Sequence, residues 1–109
     1  MLSKTQRLIA ALKDAVLHSA ATTESSLRKA IAERASVPLG EGPDIPESLR
    51  SYIDKVAHAP YKVVDEDIEA LRQAGHDDDA IFEVTLAAAV SAGLTRFKLG
   101  MAVLRGERG

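Results

Sequence analysis

The chain has no cysteine and no tryptophan, and its aromatic side chains are two tyrosines and two phenylalanines among 109 residues. Without cysteine there is no disulfide, no thiolate metal site and no intrinsic thiol redox cycle. Scarce aromatics leave the core to Ala, Leu, Ile and Val, a composition that lets helices approach closely and buries little area per side chain. Basic charge is not in excess: 14 Lys and Arg stand against 16 Asp and Glu, for a formal net charge of −2. A nucleic-acid partner, which needs a basic face, is therefore not expected. Nor does any apolar run reach the roughly 20 residues that cross a bilayer. The opening MLSKTQRLIAALKDAVL begins basic and turns apolar, but Lys13 and Asp14 interrupt it, so it reads as an amphipathic helix and not as a signal peptide. No membrane partner is expected, and the cytoplasm is the default location.

What is present is helical periodicity in a chain of single-domain length, 1–109. Residues 3–19 carry Leu8, Ile9, Leu12, Ala15 and Val16 on one face, with Ser3 and Gln6 spaced as a capping box. Residues 24–35 continue with Leu27, Ile31 and Ala35 inward and a favourable Glu24–Arg28 pair outward. Thr22 and Thr23 suggest a break between the two, although one long bent helix fits the same pattern. The segment SVPLGEGPD, 36–44, holds two prolines and two glycines and reads as a mobile surface loop. A third helix follows, capped by Asp44 with Pro46 in its first turn, and Leu49, Tyr52, Ile53 and Val56 inward. It ends by His58, because Pro60 disfavours helical geometry at Ala59.

A fourth helix spans about 65–74, opened by three acidic residues and closed by Gly75, with Ile68, Leu71 and Ala74 inward. The fifth begins after a second acidic cluster, Asp77 to Asp79. Its stretch 84–95, VTLAAAVSAGLT, carries no charge, so it is expected to be buried on every side. Beyond Gly93 the pattern narrows to a seam of Leu94, Phe97, Met101 and Leu104, suited to another helix or another subunit. Glu83, the last charge before the uncharged run, is expected either at the mouth of the helical core or paired with a base such as Arg96 or Arg72 from a neighbour. No strand and no internal repeat is legible.

The pair DEDIEALRQAG and DDDAIFEVTLAAAVSAGLTRF, joined by a tight glycine turn, resembles the carboxymuconolactone decarboxylase and alkylhydroperoxidase D families. The resemblance is strongest over 45–104. It implies an all-α fold, a compact five- to six-helix bundle of the alkylhydroperoxidase D-like type, completed by homo-oligomerisation as a trimer or its multiples. Those families' peroxidases use a CxxCxxxH motif. By the family's spacing, Pro60 and Val63 stand here where the cysteines would be and Asp67 where the histidine would be; a family glutamate falls near Glu47 or Ser48. Peroxide reduction needs an attacking and a resolving thiol, so this chain is expected to be redox-inactive. The resemblance leaves acid–base chemistry on a small organic acid or lactone, for which His58, Tyr61 and Asp67 are the candidate catalytic residues. Such chemistry needs proton donors and acceptors in a shielded pocket near residues 58–67, with a small-molecule ligand in it.

No cofactor and no metal is expected. The run His76 to Asp79 has oxygen donors, yet adjacent residues at a helix start point in different directions, and capping accounts for them. The fourth and fifth helices also imitate a helix-turn-helix, but the would-be recognition helix presents three aspartates and an apolar body. The alternative to an enzyme is a non-catalytic oligomeric structural or protein-interaction module, using the C-terminal seam and the 36–44 loop.

Overall fold

The computed structural model describes residues 23–106 together with Lys4, Gln6, Arg7 and Ala10. Those four isolated positions are helical, and the rest of the expected first helix lies outside the described residues. Four α-helices follow: α1 (Ser25–Ala35), α2 (Glu47–His58), α3 (Asp65–Gln73) and α4 (Asp78–Leu104), with a short 3₁₀ turn at Pro60–Lys62. The protein is thus all-α, and no strand occurs among the described residues. Thr23 and Glu24 are non-helical, so α1 starts afresh there.

The helix ends follow from local chemistry. Asp77 caps α4 by accepting the Ala80 N–H at 2.7 Å. Gly75 takes φ +99°, closing α3 with paired bonds from His76 N to Leu71 O and from Gly75 N to Arg72 O. At the start of α3, the Asp67 carboxylate accepts the Val64 N–H at 2.9 Å. Valine offers no side-chain acceptor in return, so only that half of a capping box forms. Pro46, and not Asp44, is the cap residue of α2; Asp44 instead accepts from Arg50 Nη2.

Helix α4 is the axis. At 27 residues it is about 40 Å long at 1.5 Å per residue, most of the molecule's 46 Å extent. α1 packs mainly on it, α2 packs on both, and the short α3 closes the far end. The core joins Ile31 of α1, Leu49, Tyr52 and Ile53 of α2, Leu71 of α3, and Ile81, Val84, Ala87, Ala88 and Ala92 of α4. Alanines on α4 let α1 and α2 sit close, as the composition implies. Tyr52, buried, meets the Thr85 hydroxyl at 2.6 Å, which satisfies its polar end.

Three expectations are corrected here, the first being that Ala74 does not face inward: it is the exposed C-cap residue of α3. The uncharged stretch 84–95 is not buried on every side: Val84, Ala87, Ala88, Ser91 and Ala92 are buried, whereas Leu86, Ala89 and Gly93 are exposed. One face of α4 forms the core and the opposite face carries equally apolar residues outward, so lack of charge did not mean enclosure. The Glu24–Arg28 pair is also not an outward one, because Arg28 is buried and its Nη1 donates to the Thr23 carbonyl. By length and composition α4 could cross a membrane, but its inner face is occupied by the core.

Candidate functional site

The three candidate catalytic residues do not converge. His58 ends α2 and is half-buried, with its Nε2 buried and without a hydrogen-bond partner. Tyr61 stands in the 3₁₀ turn and is 83% exposed, so its hydroxyl is bathed in solvent. Asp67 is committed to Lys55, whose Nζ donates at 2.8 Å, and to the Val64 N–H. No hydrogen bond joins any two of the three among the described residues.

The groove beside His58 has a volume of about 230 Å³. It lies between the end of α1 with its following loop, the end of α2, and α4, and its walls include Pro38, Ala57, Thr95, Arg96 and Leu99. Neither Tyr61 nor Asp67 lines it. It is smaller than the roughly 300–1,000 Å³ of a typical small-molecule site. Its polar atoms are largely spent: the Arg96 guanidinium donates to the Ala57 carbonyl and the Thr95 hydroxyl to the Ser91 carbonyl. The shielded polar pocket expected around 58–67 is therefore reduced to His58 and a mostly apolar cleft.

Asp67 does carry a perturbed titration. The Lys55 ammonium, and after it the Val64 N–H, hold its carboxyl below the usual carboxylate range. A lowered folded value contributes stability in full above the unfolded value of about 4, and that contribution is lost as pH falls through the folded value. Asp67→Asn is expected to flatten the dependence of the urea midpoint on pH in acid. An unchanged slope would mean that the Lys55 contact is absent in solution.

Other polar clusters escaped the sequence reading because their partners are distant in the chain. Arg34, largely buried, forms a two-pronged contact with Asp54, at 2.8 Å through Nε and 2.9 Å through Nη2. Its Nη1 donates to the Pro43 carbonyl at 3.1 Å, tying the loop to α1 and α2. Asp54 raises the Arg34 pKa further, first through that hydrogen bond, so the guanidinium stays charged. The Pro43 end of the 36–44 loop is thereby held against α1, while Pro38 to Glu41 are exposed. Gly42 explains how closely it passes: a Cβ there would fall 2.5 Å from Arg34 Cα. Glu83 receives the Thr23 N–H and hydroxyl, both at 2.7 Å, while Arg72 pairs with Asp78 and Glu69. His76 meets the Ser48 hydroxyl through Nε2 at 2.8 Å.

The most extensive unexplained feature is the outer face of α4. Phe82, Leu86, Ala89, Gly93, Phe97, Gly100 and Leu104 recur at steps of four, three, four, four, three and four, and all are exposed. That spacing keeps one stripe along an α-helix, opposite the buried Ile81, Val84, Ala88 and Ser91. Phe82 is 65% and Leu104 80% exposed. Of the seam expected beyond Gly93, Phe97 and Leu104 belong to this stripe and Leu94 and Met101 flank it, half-buried. The Phe82–Leu86–Ala89 spacing was a signal in the sequence, hidden because the inner face is just as apolar. Comparisons with family models, with curated proteins and with solved structures return no match.

Proposed function

We propose that this protein is a non-catalytic helical interaction module whose working surface is the outer face of α4. One observation carries the reading: four large apolar side chains, Phe82, Leu86, Phe97 and Leu104, stand exposed in a single stripe along a helix anchored by its other face. Contiguous exposed apolar surface on a small protein marks a contact site more often than chance does. The scattered positions of His58, Tyr61 and Asp67 give the acid–base alternative less support, since it would rest on His58 alone. An alkylhydroperoxidase D-like origin is part of the proposal, supported by the α3–Gly75–α4 pairing; this chain would be a redox-inactive member. A cytoplasmic setting goes with it.

The test is a photo-crosslinking amino acid placed at Leu86 in living cells, with Gln73 on α3 as the exposed control. Adducts are expected at position 86 and not at 73. Their absence at 86, or equal yield at both sites, would sink the proposal. A lipid adduct would make the face a membrane-contact surface instead.

A further inference from the structure

We infer that the occupant of this face is a second copy of the same chain, running antiparallel to the first about a two-fold axis at Gly93. The inference rests on reading the outer face of α4 as the working surface, and it adds the partner and its register.

Two glycines point to a close neighbour. Gly93 and Gly100 lie inside α4 with no positive φ, and a Cβ at either would meet nothing within 4 Å. Nothing within the described chain therefore calls for glycine, although each weakens the helix by about 0.5–1 kcal/mol relative to alanine. A glycine at the middle of an exposed apolar stripe is accounted for if another backbone comes close there.

The order of residues then selects the orientation. The stripe is centred on Gly93, with Phe82 and Leu104 each eleven positions away. In an antiparallel pair centred there, Leu86 faces Gly100 of the other copy and Phe97 faces Ala89. Phe82 reaches Leu104, and Gly93 meets its own counterpart where the helices are closest. Leu86 and Phe97 thus lie over small residues on both sides of the axis, as close packing requires, and the large Phe82 and Leu104 meet only at the two ends, where the helices diverge. In a parallel pair each large residue would meet itself, and the glycines would leave gaps.

Charge favours the same arrangement. Asp78 and Asp79 open α4, while Arg105 stands at its C-terminal cap. Antiparallel pairing brings the acidic first turn of one copy toward the Arg105 end of the other and opposes the helix dipoles; parallel pairing stacks like on like. The stripe covers 82–104, about 33 Å of helix. With two phenylalanines and two leucines per copy, burial on the order of 1,200 Å² in total is within reach, the lower edge of a specific interface. Such a pair sits at the small end of specific association. It has two-fold symmetry in place of the trimer implied by the family resemblance.

The absence of cysteine gives a clean test, because an introduced thiol is the sole one. Purified full-length Leu86→Cys and Gly100→Cys proteins are oxidised separately and as a mixture. A disulfide needs its Cα atoms within about 7 Å, whereas two copies of position 86 lie about 21 Å apart in the antiparallel pair. Cross-linking is expected in the mixture and not in Leu86→Cys alone. Sedimentation should show a concentration-dependent dimer, weakened at least tenfold by Gly93→Leu while the circular dichroism of the fold is kept. Efficient self-cross-linking of Leu86→Cys, a wild-type dimer in Gly93→Leu, or a monomer at every concentration would each overturn the inference. A monomeric chain that still gives protein adducts at position 86 in cells would sink the pair and leave the interaction reading standing; no adducts would sink both.

Discussion

Ile53→Ala is expected to lower the stability of the fold by about 3–4 kcal/mol, in the range found for truncating a fully buried branched side chain. Ile53 has no exposed surface and sits in α2 within the cluster shared by α1, α3 and α4. Removing its outer carbons leaves a void walled by the helices that define the architecture. The part of α4 that enters this cluster includes Ala87, Ala88 and Ala92, side chains too short to reach into a new void. A chain of this size has a total stability of about 5–10 kcal/mol, so the variant should lose between about a third and about four-fifths of it. Tyr61→Ala supplies the contrast, because that ring is 83% exposed and its loss should change stability by no more than about 0.5 kcal/mol. Chemical denaturation of both variants checks the pair of values. A loss under about 1 kcal/mol at Ile53 would mean that the four helices do not meet where described.

Asp54→Ala is expected to cost about 2–4 kcal/mol, less than a deeply enclosed pair would because Asp54 keeps 21% of its side chain exposed. The loss comes from what remains. Arg34 retains 10% side-chain exposure and would keep its charge with only the Pro43 carbonyl as partner. The double variant Arg34→Met with Asp54→Leu should recover much of the loss, since paired apolar replacements remove the stranded charge. Thermal unfolding of the single and double variants gives the measurement. A double variant as unstable as Asp54→Ala would refute this account and assign the cost to packing around α2.

Much of the architecture was legible because it is local. The two ends of α2, the end of α3 and the start of α4 follow from Pro46, Pro60, Gly75 and the Asp77 cap, each acting on its own few residues. Inward residues such as Leu49, Ile53 and Leu71 were marked by helical spacing. What was not legible depends on contacts across the chain. Arg34 meets Asp54 from 20 positions away, and Thr23 meets Glu83 from 60. No periodicity encodes those encounters. The candidate site suffered for the same reason: His58, Tyr61 and Asp67 are neighbours in sequence, but the 3₁₀ turn at Pro60–Lys62 sends them into different surroundings. The outer stripe of α4 was misjudged because the helix is apolar on opposite faces, and composition cannot say which face has found its partner.

The two tyrosines divide the optical signature of the protein between them. Tyr52 is enclosed and bonded to Thr85, whereas Tyr61 already stands in water. With no indole to mask them, the native tyrosine band in near-ultraviolet dichroism originates at one phenol, and that phenol sits where α2 leans on α4. A spectroscopist following this band would be watching a single junction between two helices.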